Sequence, residues 1–178
     1  MDDIKLHDKK FELFIEKNEL NQIVSSLAKK INESNLNNPL FIVVLKGSFL
    51  FASDLIKKIN VPNTEIAFIK VSSYIGTNTS GNLKEIFGIE KDISNRNIFI
   101  IEDIVDTGNT IYELVKIFKN KRVKNMRIIT LLYKPDCYKK KIKIDYIGKS
   151  ISNDFVVGYG LDYNDLGRNL SNIYKLKE

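Results

Sequence analysis

The sequence predicts an α/β fold with a central, mostly parallel sheet flanked by helices. Two observations carry that expectation. Short runs rich in branched apolar residues, such as residues 40–45 and 97–101, alternate with segments of helical periodicity through the middle of the chain. Polar, acidic or glycine-bearing stretches follow those runs directly, at 46–48, 102–110, around 134 and after 157. Sheets of this kind collect ligands beyond the carboxyl ends of their strands, so these four stretches are where chemistry is expected.

Taken in order, Leu20, Ile23, Val24, Leu27, Ala28 and Ile31 recur at helical spacing and give residues 16–31 one apolar face. A polar link at 32–38 leads through Pro39 into the buried strand 40–45. Lys46-Gly47-Ser48 ends that strand, and residues 49–59 return as a helix. A strand is expected at 65–71. Residues 72–91 are rich in Gly, Ser, Thr and Asn without regular apolar repeats, which suits a long hairpin or a mobile loop. The strongest internal strand signal is 97–101, followed by a helix at 110–119 and a strand at 127–132. Shorter strands are expected at 142–146 and 155–157. No internal repeat interrupts this layout, and 178 residues fit a single domain.

Composition excludes several classes of function. Cys137 is the only cysteine and His7 the only histidine, so a disulfide framework, a His/Cys zinc site and a Ser-His-Asp triad lack the residues they need. The thiol, in a polar stretch without a motif around it, reads as passive, and a reducing cytoplasm is the expected location. The start, Met1-Asp2-Asp3, is too acidic for a secretory leader, and no apolar run is long enough to span a bilayer. The net charge of +6 is concentrated in 119–127 and 139–143. Without a recognition module, that excess reads as a basic rim steering a small polyanion and not as a nucleic-acid surface.

The most informative segment runs from Ile98 to Thr110. An apolar strand passes straight into Glu102 and Asp103, then into the turn Asp106-Thr107-Gly108-Asn109-Thr110 and the start of a helix. Backbone N–H groups and hydroxyls of that turn suit a phosphate, with Gly108 allowing close approach. Asp106-Thr107-Gly108 alone would fit an ordinary helix cap equally well. Two carboxylates at the end of a buried strand argue further, because they are costly there unless hydroxyls, a cation or other donors receive them. They repel a bare phosphate, yet suit a ligand that also carries a diol and a divalent cation. A sugar with a phosphate at one end and a metal-bound pyrophosphate at the other satisfies both halves. The full Gly-x-x-x-x-Gly-Lys-Ser/Thr phosphate loop of nucleoside triphosphatases is not present.

Glu102-Asp103-Ile104-Val105-Asp106-Thr107-Gly108-Asn109-Thr110 resembles the phosphoribosyl-diphosphate signature of type I phosphoribosyltransferases. The resemblance implies a small hood, formed by the N-terminal segment and about 140–178, and a mobile active-site loop at 72–91 that excludes water. It also implies that Glu102 and Asp103 contact ribose hydroxyls and that 106–110 grips the 5-phosphate. Asp106 matches the aspartate near the purine N7 that assists proton transfer.

Three further segments resemble the hypoxanthine-guanine branch of that family. Leu45-Lys46-Gly47-Ser48 is similar to its pyrophosphate loop, which often has a nonproline cis bond before the lysine. Leu131-Leu132-Tyr133-Lys134 matches the segment whose lysine meets the purine O6. Read alone, Lys134 would pass for a surface residue. Its ammonium suits the carbonyl of a 6-oxopurine and mismatches the amino group of adenine. In 155–168, Phe155 corresponds to the aromatic stacked on the base, and Val156 to a backbone contact with the base edge. Asp162 corresponds to a magnesium-associated carboxylate, and Arg168 to a pyrophosphate contact. Ser73-Tyr74 matches the start of the mobile loop.

The resemblance implies transfer of phosphoribosyl from phosphoribosyl diphosphate to N9 of hypoxanthine or guanine, giving inosine or guanosine monophosphate and pyrophosphate in purine salvage. Magnesium is the implied cofactor, with Glu102, Asp103 and Asp162 as its carboxylates, and a homodimer or homotetramer the implied assembly. A xanthine-preferring or broad 6-oxopurine enzyme is the nearest alternative, and a noncatalytic nucleotide-sensing regulator a more distant one. Asn109, Gly160 and Gly167 depart from some relatives, which carry a basic residue at the first position and bulkier ones at the others.

Overall fold

The computed structural model describes residues 3–34, 37–72, 85–89 and 91–177. Its elements are β1 (Ile4–Leu6), β2 (Lys9–Ile15), α1 (Lys17–Asn32), β3 (Pro39–Leu45), α2 (Phe49–Ile56), β4 (Glu65–Ser72) and β5 (Glu85–Phe87), then β6 (Asn97–Val105), α3 (Asn109–Asn120), β7 (Asn125–Tyr133), β8 (Tyr146–Ser150), β9 (Val156–Val157) and β10 (Ile173–Leu176). Six strands form the main sheet in the order β5-β4-β3-β6-β7-β8. All of its neighbours run parallel except β5, which pairs antiparallel with β4.

Alternation along β3 and β6 explains why helices cover both faces. Phe41, Val43, Phe99 and Ile101 point into one core with α1 and α2, while Leu40, Ile42, Val44, Ile98 and Ile100 point into a second core with α3. Phe41 and Phe99 stack with centroids 4.9 Å apart, which adds about 0.5–1.5 kcal/mol beyond the area they bury. The apolar face read from the sequence of α1 is the face that packs, through Leu20, Val24, Leu27, Ala28 and Ile31.

A second, antiparallel sheet joins the two ends of the chain in the order β1-β2-β10-β9. Phe11 and Ile15 of β2 are buried in it. The sequence carries the alternation Phe11-Leu13-Ile15 that marks β2, but the apolar Phe14 between these residues blurred it.

Two boundaries differ from expectation in ways that matter for the site. The strand expected at 97–101 continues to Val105, so Glu102 and Asp103 lie within β6 and not beyond it. The strand expected at 142–146 is absent, and the pairing strand is Tyr146–Ser150. Ile142 and Ile144 instead pack sideways onto the α3 core, and the Ile142 carbonyl accepts a hydrogen bond from Tyr138 Oη at 2.6 Å. Alternating apolar residues thus serve a packed loop instead of a ladder.

Candidate active site

The carboxyl ends of β3, β6 and β7 meet at one end of the main sheet. Parallel pairing aligns Glu102 with Thr130 and Val105 with Tyr133. The next residue on each strand, Asp106 and Lys134, therefore emerges beside the other. Lys134 N–H donates to the Val105 carbonyl at 2.9 Å, and its ammonium lies 3.2 Å from Asp106 Oδ2. Lys134 is only 7% exposed, so the surface reading of this lysine does not hold. A buried ammonium is retained where it has a charged partner and an acceptor to meet.

Glu102 is buried, and its Oε2 has no hydrogen-bond partner among the described residues. Burial, with the adjacent Asp103 charge, holds its carboxyl well above the usual carboxylate range. Asp103 is pushed up to about 6, mainly by burial, while the Ile104 N–H and Arg168 oppose the rise and Asp162 adds to it. Two acids that resist ionisation at one strand end await something that compensates them, such as hydroxyl donors or a cation.

Asp103 also explains the glycine in the first loop. A Cβ at position 47 would lie 1.6 Å from Asp103 Oδ2, so only glycine lets the carboxylate rest against this loop. The Leu45–Lys46 peptide is cis, as the family resemblance implies. Ser48 is fully buried, and its hydroxyl donates to the Val44 carbonyl, which fixes the loop against the end of β3.

Residues 106–110 form the turn into α3. Gly108 is the N-cap with φ of +80°, and its carbonyl accepts from Tyr112 N–H at 2.9 Å to close the first helical turn. No acidic residue lies in that turn, which leaves the positive end of the helix uncompensated. Glu102 and residues 104–111 line a cleft of about 80 Å³, roomier than a single water requires. Residues 138–140 roof the turn: the Tyr138 ring and the Lys140 stem approach Gly108, and Lys140 Nζ sits 5.0 Å from the Tyr112 ring centroid. Thr107 and Asn109 are exposed at the cleft mouth, with Thr110 partly buried.

The segment after β9 folds back over the first loop. Gly160 has φ of +104°, and a Cβ there would lie 1.9 Å from the Gly47 carbonyl oxygen. Arg168 donates from Nη1 to the Gly160 carbonyl at 2.9 Å and pairs through Nη2 with Asp162 at 2.5 Å. Tyr159 Oη donates to Asp54 Oδ2 of α2 at 2.8 Å, and burial with that contact pushes the phenol well above its ordinary value.

Phe155 is 45% exposed and leans on Phe11 and Tyr163, with centroids 6.3 and 5.8 Å away, while Val156 is buried in β9. Of the sequence-predicted residues, these contacts join Lys134 to Asp106, Arg168 to Asp162 and Gly47 to Asp103. Ser73, Tyr74 and most of the 72–91 loop lie outside the described residues. The structure adds Asp54, Tyr159, Asp165, Tyr138 and Lys140, which no local motif marked.

Glu102, Asp103 and Asp162 offer the hard oxygen donors that magnesium prefers, and the orphaned Glu102 oxygen fits a cation or a hydroxyl. Among the described residues, no group of three acidic, histidine or cysteine side chains converges to hold a metal unaided. Partial burial and the Asp106 charge push the Cys137 thiol up, which disfavours the thiolate.

A model of the phosphoribosyl transferase domain matches residues 15–164, which sets the class of the protein. A Staphylococcus aureus hypoxanthine-guanine phosphoribosyltransferase is 38% identical over 174 residues, 97% of each chain. The crystal structure of a hypoxanthine phosphoribosyltransferase from Staphylococcus aureus superposes with a TM-score of 0.83 at 39% identity, covering 93% of this chain and 91% of that one. A mutant Trypanosoma cruzi hypoxanthine phosphoribosyltransferase in a ternary substrates complex gives 0.85 at 31% identity, covering 93% and 95%. The chain belongs to the hypoxanthine-guanine phosphoribosyltransferase family. The sheet order and its flanking helices are those of the type I phosphoribosyltransferase fold.

Proposed function

We propose that the protein transfers phosphoribosyl from phosphoribosyl diphosphate to N9 of hypoxanthine or guanine, yielding inosine or guanosine monophosphate and pyrophosphate. The observation that carries this reading is the pairing of buried Lys134 with half-exposed Asp106, 3.2 Å across, at the edge of the 106–110 cleft. A donor for the purine O6 thus stands beside an acceptor for N7, and both adjoin a phosphate cradle.

In this reading Thr107, Gly108, Asn109 and Thr110 hold the 5-phosphate at the start of α3. Glu102 and Asp103 accept the ribose hydroxyls, Phe155 stacks on the base, and the Val156 backbone meets its edge. Ser73 and Tyr74 belong to the loop that covers the reaction. The bond from C1 to the pyrophosphate oxygen breaks with its electron pair leaving on pyrophosphate, while the N9 lone pair forms the new bond to C1. The backbone of Lys46, Gly47 and Ser48 and the Arg168 guanidinium face the charge that grows on the leaving group. Asp106 accepts the purine proton at N7. Positioning supplies most of the acceleration, since no covalent nucleophile is needed.

Asp162, Glu102 and Asp103 would hold magnesium, which would neutralise charge on pyrophosphate.

The same proposal treats residues 1–178 as one domain with the β1-β2-β10-β9 sheet as the hood, working in the cytoplasm. None of the described helices is long and apolar enough to cross a membrane. Assembly as a homodimer or homotetramer is supported by Ile66 and Phe68, which are 43% and 50% exposed on β4 beside an apolar hollow of about 500 Å³.

The test is steady-state nucleotide formation from hypoxanthine, guanine, xanthine and adenine with phosphoribosyl diphosphate, with and without magnesium. Turnover of hypoxanthine and guanine that vanishes on chelation is the expected result. Dominant xanthine turnover overturns the base assignment, and no turnover with any base overturns the activity.

A further inference from the structure

Asp165 sits on a turn that is unusually well held for so exposed a residue. Tyr163 N–H donates to the Leu166 carbonyl at 2.9 Å, and Leu166 N–H returns the bond at 3.1 Å. The two residues between them, Asn164 and Asp165, have φ of +49° and +65°. That combination is a type I′ turn, and Asn and Asp are the non-glycine residues that best tolerate it.

Three contacts brace the turn from outside. His7 Nε2 donates to the Asn164 carbonyl at 3.1 Å, and Tyr163 Oη donates to Asp8 Oδ1 at 2.8 Å. Asp165 N–H donates to Asp162 Oδ2 at 2.8 Å. The backbone beneath the carboxylate is therefore fixed to the β1–β2 hairpin and to Asp162.

The fixed carboxylate faces two cations with one oxygen. Asp165 Oδ1 lies 3.6 Å from Lys46 Nζ and 4.0 Å from Arg168 Nη2. Lys46 belongs to the loop, and Arg168 is the guanidinium, that the proposed reaction turns toward pyrophosphate. Asp165 is 80% exposed and Lys46 59%, so each pair is weak and readily exchanged.

We infer that Asp165 is a built-in stand-in for pyrophosphate: its carboxylate pairs with Lys46 and flanks Arg168, whose Nη2 Asp162 also holds, and it opposes the bound anion. The inference rests on the reading that these residues meet pyrophosphate. A cluster of cations tuned only for affinity would retain the departing product. A rigidly presented carboxylate lowers affinity for the pyrophosphate group without touching the contacts to ribose, 5-phosphate or base. Asp165 is thus a positioning residue that acts through Lys46 and Arg168.

The experiment compares wild type with Asp165→Asn, which keeps the turn chemistry and removes the charge, and with Asp165→Glu, which keeps the charge. Calorimetry measures the dissociation constants of magnesium pyrophosphate and, separately, of inosine monophosphate, which lacks the pyrophosphate group. Removing one unit charge at this range in water tightens pyrophosphate binding by about five- to tenfold. Inosine monophosphate affinity stays unchanged, Asp165→Glu stays near wild type, and the gain shrinks in 0.5 M salt, where the Debye length falls to about 4 Å. Lost packing does not tighten binding, so the sign separates an electrostatic from a merely structural role. Unchanged or weaker pyrophosphate binding in Asp165→Asn, with wild type binding it normally, overturns this inference alone. Wild type that binds no pyrophosphate overturns the proposed function along with it.

Discussion

Replacing Asp103 by Asn should stabilise the ligand-free protein at neutral pH while crippling its grip on the ribose. Asp103 has an ordinary value of 3.8 in the unfolded chain and is pushed up to about 6 in the fold, chiefly by burial. The folded carboxyl therefore holds its proton more tightly than the unfolded one. Its contribution to stability is fully present below about pH 4 and is lost as pH rises through about 6. A difference of about two pH units corresponds to about 3 kcal/mol, an upper value because the side chain keeps some solvent contact. Asparagine keeps the acceptor for Ile104 N–H, now 2.8 Å from Asp103 Oδ1, and removes the charge. A gain of about 1–3 kcal/mol raises Tm by roughly 3–9 °C in a chain of this length. The assay is thermal melting of ligand-free wild type and Asp103→Asn at pH 4, 5, 6 and 7.5, beside phosphoribosyl diphosphate titrations at pH 7.5. The gain should be largest at pH 7.5 and vanish at pH 4, while affinity for the donor falls at least tenfold. A variant that melts at or below wild type at pH 7.5, or whose gain persists at pH 4, refutes the burial account.

Three other substitutions probe separate parts of the site. Lys134→Met should lower kcat/KM for hypoxanthine by about 10²–10³ with a much smaller change in phosphoribosyl diphosphate affinity, because it removes the O6 donor and the charge partner of Asp106, both on the base side of the site; equal losses for both substrates would contradict the assignment. Gly160→Ala places a Cβ 1.9 Å from the Gly47 carbonyl at a φ of +104°, so urea unfolding should show a loss of about 1–3 kcal/mol. Tyr159→Phe removes the 2.8 Å bond to Asp54 and should cost about 1–2 kcal/mol by the same measurement, since the ring packing remains.

The sequence was most legible where one local rule governs one feature. β3 and β6 appear as branched apolar runs because both faces of the sheet are covered, and α1 announces itself through its periodic apolar face. The Glu102–Thr110 segment was readable because its chemistry is contiguous. Lys134 was not readable alone: its burial follows from the β6–β7 register, which sets it beside Asp106, 28 residues earlier. Asp54–Tyr159 and Lys46–Asp165 were invisible for the same reason, each joining segments more than a hundred residues apart. The absent strand at 142–146 shows the opposite error, alternation without a ladder to join.

The small sheet ties the site to the order in which the chain is made. β2 pairs with β10, so Phe11 lies opposite Leu176, and Phe155 leans on that same Phe11 ring. β9, which begins directly after Phe155, is hydrogen-bonded only to β10 in that sheet. The main sheet needs nothing later than β8, so it can assemble as the ribosome delivers it. The strand that leads away from Phe155, proposed to stack the purine, has no ladder partner until β10 forms and closes a loop back to β2, a contact of high entropic cost. A nascent chain that has not yet reached β10 would therefore hold a phosphate cradle with an unsecured seat for the base. Competence to bind the base then reports that β10 has docked.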